Sequence, residues 1–132
     1  MPIETKTTFS IEGVERPSTK QPFGPKYAGN FTIRRPSLLD KKNIAVRNAA
    51  SLSFAGHINP GLLQDDIVII THTHNHILTL AEEKVPEWFD ISTMTEDDEE
   101  AVFAVWQEVD RFLAGFRPGA TGGNGSAGDT KP

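Results

Sequence analysis

The stretch TEDDEEAVFAVWQEVDRFLAGF, residues 95–116, decides the fold of this chain. Apolar residues recur in it every three or four positions, which is the repeat of one helix face. These are Val102, Trp106, Val109, Leu113 and Phe116. Thr95 is a good N-cap residue with Asp98 three positions later, and the acids of the first turn suit the positive end of a helix dipole. We predict a helix here whose apolar stripe packs into a core and does not form a cofactor site.

The first helix along the chain is predicted over residues 38–54. Ser37 follows a proline and is a favourable N-cap, with Asp40 three residues on as a variant of the capping box. Gly56 is a natural stop. Apolar residues form two adjacent rows on this helix: Leu38, Ala45, Ala49 and Leu52 in one, and Leu39, Val46 and Ala50 in the other.

The middle of the chain predicts the second helix along the chain, and residues 95–116 form the third. Asn59 is a natural N-cap and Pro60 a natural first residue, while Val85 precedes a proline that ends the helix. Its apolar positions repeat with helical spacing: Leu63, Ile67, Ile70, Ile77, Ala81 and Val85. The β-branched run at 67–71 would also suit a strand. The length without a turn signal favours a helix, but the sequence leaves helix or strand open over residues 67–78.

The two ends lack helical periodicity. Residues 1–30 are rich in proline and glycine and predict an extended arm with one short β element. Residues 118–132 carry no large apolar side chain and predict a flexible, disordered tail. The predicted fold is therefore mainly α, a small three-helix domain over residues 31–117 between an arm and a tail.

Composition excludes several classes of function. The chain has no cysteine, so disulfides, thiolate metal sites and thiol catalysis are excluded. No apolar run is long enough to span a membrane, and no signal peptide follows Met1. Residues 31–56 hold five basic residues against one acid, whereas residues 57–117 hold thirteen acids against three basic residues. This acidic majority disfavours nucleic-acid binding, and the polarity can orient the domain against a copy or a partner.

Three histidines in the pattern H-x-H-x-H form the one local motif that resembles a metal site. On a strand, His72, His74 and His76 would share a face and could bind zinc or nickel. On a helix, His72 and His76 share a face and His74 points away, which leaves a weak two-ligand site and favours solvated or partner-facing histidines. No motif for nucleophilic or phosphate chemistry is present. We expect neither an enzyme nor a cofactor.

Two short motifs remain. Arg34 and Arg35 immediately precede the first helix, where they are either solvated or face a partner. Trp88 and Phe89 lie between the second and third helices. Because two large aromatic side chains are costly to leave in water, we expect them to fill the base of the helical bundle or to contact a partner.

Several segments together resemble small tail assembly chaperones of long-tailed, siphovirus-type bacteriophages. They are residues 29–40 (GNFTIRRPSLLD), the apolar second helix, residues 86–90 (PEWFD) and residues 112–118 (FLAGFRP). The resemblance covers about residues 29–118, and its motifs contain no catalytic residue. The histidine-rich middle, residues 60–85, is more polar than that family leads us to expect.

The resemblance implies a non-enzymatic protein of the host cytoplasm. Such chaperones bind the tape measure protein, keep its apolar helices soluble and help the major tail protein to polymerise around it. Self-association into an oligomer or filament is a further expectation. Candidate partner-binding residues are Arg34, Arg35, Ile70, Ile77, Trp88 and Phe89. A charge at Ile70 or Ile77 is then expected to break the complex without unfolding the domain.

Two alternative functions stay open. A structural tail or head–tail adaptor protein would remain in the virion, whereas a chaperone would be absent from the finished particle. A histidine-dependent metal-binding protein is the other alternative, and it would retain zinc through His72 and His76.

Overall fold

The computed structural model describes residues 5–53 and 65–116. In these residues the chain forms a two-stranded antiparallel sheet and three α-helices. The elements are β1 (Lys6–Phe9), β2 (Phe31–Arg34), α1 (Leu38–Ser53), α2 (Asp65–Leu80) and α3 (Glu99–Ala114). The predicted fold class, mainly α with a small β element, is confirmed.

Helix α2 lies at the centre of the helical layer, because α1 and α3 both pack against it. The open question over residues 67–78 is resolved as helix. The sequence predicted that this helix would end at Val85, but it ends at Leu80. Beyond Leu80 the chain pairs with the sheet: Ala81 bridges Ile33, and the Glu82 amide donates to the Thr32 carbonyl at 2.8 Å. This long-range pairing outweighs the local helical repeat.

The N-terminus of α3 agrees with its prediction. Thr95 and Asp98 form a capping box around a single 3₁₀ turn, Glu96–Asp98, that leads into the α-helix. Val102 and Val109 of the predicted stripe are buried, and Trp106 and Leu113 pack against the core. The stripe is therefore a packing surface, as predicted.

The N-terminal segment differs from the predicted arm. Residues 5–30 pack onto the domain, because Ile11, Phe23 and Tyr27 are buried in the same core as the helices. Strand β1 pairs antiparallel with β2, with Phe9 opposite Phe31. The segment buries apolar side chains that have no regular spacing, and it is part of the domain.

An aromatic cluster joins the sheet to the connection between α2 and α3. The ring of Phe31 stacks on Phe9 with centroids 5.1 Å apart and meets the edges of Phe89 at 5.3 Å and Trp88 at 5.6 Å. Tyr27 meets Trp88 at 5.0 Å. Such edge-to-face and stacked pairs add to the free energy of simple burial. Trp88 and Phe89 thus fill the base of the bundle.

Asp98 connects this N-terminal segment to α3. One carboxylate oxygen accepts the Tyr27 hydroxyl at 2.6 Å and the Lys26 ammonium at 3.0 Å, and the other accepts the Thr95 amide at 2.9 Å. Burial of the carboxylate opposes its ionisation, but these hydrogen bonds outweigh burial and lower the pKa of Asp98 to about 2. Nearby, Arg16 binds Glu100 at 2.8 Å.

Three expected features lie outside the described residues. They are the stop of the first helix at Gly56, the start of the second helix at Asn59 and Pro60, and the tail at residues 118–132.

A substitution at Gly29 tests this packing. Its φ is +119°, and a Cβ there would lie 2.9 Å from the side chain of Pro86. We expect Gly29→Ala to lower the free energy of unfolding by at least about 2 kcal/mol, because backbone strain and overpacking each cost about 1–3 kcal/mol.

The matched control is Gly13→Ala, since a Cβ at Gly13 meets no atom within 4 Å. Urea unfolding should show a change of less than about 1 kcal/mol for this variant. Equal stabilities of the two variants would contradict the contact between Gly29 and Pro86.

Candidate partner-binding surface

The start of α1 is fixed by two sets of hydrogen bonds. The Asp40 amide donates to the Ser37 hydroxyl at 3.0 Å, and the Ser37 amide donates to the Asp40 carboxylate at 2.9 Å, which completes the predicted capping box. Arg34 then binds both oxygens of Asp40, at 2.8 and 3.2 Å, and donates to the Thr79 carbonyl at 2.9 Å. The guanidinium group of Arg34 and the Ser37 amide lower the pKa of Asp40 to about 2.

The side of α1 that faces α2 is largely polar. Among the described side chains of α1, Ile44 is the only aliphatic one that is buried. Asn75 of α2 is buried and donates from its amide nitrogen to the Asn48 side-chain oxygen at 2.8 Å. A buried amide needs such a partner, since an unpaired one would cost about 1–3 kcal/mol. Over residues 38–51, α1 is therefore held by specific polar contacts more than by apolar burial.

The opposite side of α1 is apolar and faces solvent. Leu38 is 84%, Leu39 63% and Val46 58% exposed. We call the surface formed by Leu38, Leu39, Lys42, Val46 and Ala50 the outer face of α1. Leu38, Leu39 and Val46 belong to the two apolar rows seen in the sequence, so these members of the rows point away from the core. A helix that packs its polar side inward and leaves its apolar side open is typical of an interaction surface.

Basic side chains surround this outer face. Lys42 lies within it, and Lys41 and Arg47 lie to its two sides, as the 3.6-residue repeat of a helix requires. All three are exposed, and no salt bridge between described residues involves them. The surface thus combines apolar area with positive charge.

A groove runs beside the outer face, between α1 and the end of α3. Its volume is about 320 Å³, and its apolar lining includes Ile44, Ala45, Leu113 and Phe116. The guanidinium of Arg35 lies over the ring of Phe116, 4.6 Å from its centre. The groove widens the apolar surface that α1 offers to another molecule.

The structure separates the six candidate residues into four groups. Arg34 anchors α1, and Arg35 lies at the groove. Ile70 is half-buried and lines a different groove, beside α2. Ile77 is 1% exposed and Phe89 is buried, while the Trp88 ring packs against the core. The expectation that a charge at Ile77 leaves the domain folded is therefore corrected, because the charge would enter the core.

The histidines follow the geometry expected of a helix. His72 and His76 share a face, with rings 6.4 Å apart and both beside Trp106. His74 lies on another face, 6.5 Å from the Phe89 ring. The Nδ1–H of His76 donates to the His72 carbonyl at 2.7 Å. Among residues 5–53 and 65–116, no group of three or more histidine or acidic side chains is arranged to hold a metal ion.

Because His74 and His76 are half-buried, the free energy of unfolding should fall in mild acid. Burial lowers the pKa of His76 and of His74 below the ordinary 6.5, and Arg47 lowers that of His74 further. As the pH falls below 6.5, these two histidines therefore take up protons in the unfolded chain before they do so in the folded chain. The stability that is present above pH 6.5 is lost as the pH falls through this range. Asp40 and Asp98 add a second loss as pH falls from 3.8 toward about 2.

We expect the melting temperature to fall between pH 7.5 and about pH 5. The fall should be smaller in His76→Gln than in the unchanged protein, because the variant lacks the group that resists protonation. Scanning calorimetry at both pH values measures this. Equal falls in the two proteins would show that His76 does not contribute.

Two findings place these features in a wider context. No helix in the described ranges combines the length and apolar character needed to cross a membrane. Comparison of the chain with protein-family models, with curated proteins and with solved structures finds no significant match.

Proposed function

We propose that this protein is a non-enzymatic tail assembly chaperone of a long-tailed bacteriophage. In this role it binds an amphipathic helix of the tape measure protein in the host cytoplasm and keeps it soluble while the major tail protein assembles. The observation that carries the proposal is the outer face of α1. Three large apolar side chains are exposed there, whereas the opposite side of the same helix contacts the buried Asn75 of α2 through Asn48.

The chemistry of the outer face suits a helical partner. Leu39, Val46 and Ala50 recur at spacings of seven and four, so they match the apolar stripe of a second helix laid alongside. Contacts of this kind depend on apolar burial and are only weakly screened by salt.

A test is co-expression with the tape measure protein of the same phage. We expect the chaperone to keep that protein in the soluble fraction and to co-purify with it at about 0.5 M salt. Leu39→Glu should reduce the co-purified amount by roughly tenfold or more, because it places a charge in the apolar contact. Glutamate favours helix, so the fold should be retained.

The matched control is Gln107→Glu, which adds the same charge at an exposed position of α3. Circular dichroism on both variants checks that each is folded. Equal co-purification of the two variants would contradict the assignment of the outer face. Stoichiometric amounts of the protein in purified virions would instead support a structural tail or head–tail adaptor protein.

A further inference from the structure

A second unpartnered surface lies on the other side of α2. It is a groove of about 430 Å³ whose apolar lining includes Ile70, Ile91, Met94 and Val102. A second groove of about 310 Å³ shares Ile91 and continues along the helix past Leu78. Leu78, which lines the second groove, is 53% exposed, and Ile67, three residues before Ile70 on the same helix, is 43% exposed. We call the two grooves together the α2 groove.

Acidic side chains border one end of the α2 groove. Glu96 and Glu99 line it, and Asp66 lies close enough to hydrogen-bond Glu99. Burial, with the nearby charges of Asp66 and Glu96, raises the pKa of Glu99. No salt bridge within the described ranges reaches any of the three. Like charges held together beside an apolar surface favour a cationic, apolar partner.

The outer face of α1 has the complementary chemistry. It is apolar with Lys42 inside it, and Lys41 and Arg47 flank it. The lengths also match. Ile70 and Leu78 of the groove are eight residues apart on α2, as are Leu38 and Val46 on α1, and eight helical residues rise about 12 Å. We propose that the outer face of α1 in one copy of the chain docks into the α2 groove of a second copy.

The two surfaces cannot meet within one chain. Helix α1 already packs on α2 through Asn48 and Asn75, and its outer face points away from that contact. The α2 groove lies on another side of α2, beside Ile91 and α3. The contact between copies is therefore head-to-tail, with a different surface from each copy. Such contacts close into rings or continue as open filaments, and do not stop at a symmetric dimer.

This inference uses the same outer face of α1 as the proposed function, so a second copy and the tape measure protein would compete for that face. It is therefore tested on the purified protein alone. Sedimentation across about 1–100 μM should show association that grows with concentration and weakens at about 0.5 M salt. Val46→Glu places a negative charge in the outer face of α1. The double variant Glu96→Lys, Glu99→Lys reverses the charge at the acidic end of the α2 groove. Each should weaken association by roughly tenfold or more.

Matched controls carry the same charge changes elsewhere. Gln107→Glu is the control for Val46→Glu, and Glu83→Lys with Glu87→Lys is the control for the groove variant, all at exposed positions. Both controls should associate like the unchanged protein. Circular dichroism confirms that each variant is folded.

The decisive measurement mixes the two defective proteins in equal amounts. Val46→Glu retains an intact groove, and the groove variant retains an intact α1 surface. The mixture should form a one-to-one dimer that does not grow further. A monomer at every concentration, association unaffected by either variant, or a mixture that stays monomeric or grows beyond the dimer would each overturn the proposal.

The same variants separate this inference from the proposed function. The groove variant should lose self-association but still bind the tape measure protein through α1. Failure of the groove variant, whose outer face of α1 is free, to bind that protein would contradict only the proposed function.

Discussion

The contact between Arg34 and Asp40 sets how α1 is rotated about its own axis. Arg34 comes from the end of β2, grips both carboxylate oxygens in the first turn of α1, and is itself held by the Thr79 carbonyl at the end of α2. A bidentate pair of this kind defines orientation as well as distance. With Asp40 directed inward, Ile44 and Asn48 follow on the same side, and Leu39 and Val46 must point outward.

The segregation of charge depends on the same arrangement. Helix α1 brings exposed basic groups to one side of α2, whereas the acids at the start of α3 collect on another side. Some of those acids are neutralised within the chain, since Arg16 binds Glu100 and Lys26 binds Asp98. Within residues 5–53 and 65–116, no basic side chain forms a salt bridge with Asp66, Glu96 or Glu99, so their field is directed outward.

The sequence predicted those features that depend on local chemistry. The capping boxes at Ser37 and Thr95, and the stripe of α3, follow from residues close together in the chain. The buried role of Ile11, Phe23 and Tyr27 could not be predicted, because these residues have no periodicity and are buried only through contacts with distant elements. The early end of α2 has the same origin in the pairing of Ala81 with Ile33. The candidate surface was only partly predictable: the apolar rows of α1 were visible, but their outward direction depends on Arg34, which is contributed by another element.

The weak apolar attachment of α1 has a consequence for its motion. Detaching this helix exposes the side chain of Ile44 and breaks an amide pair and an ion pair, whereas detaching α3 would expose much of the core. The free energy of local opening should therefore be lower for α1 than for the rest of the domain. Backbone amides of α1 would exchange with solvent deuterium well before those of α3. A molecule that covers the outer face would slow that exchange, so occupancy could be followed in time without any label.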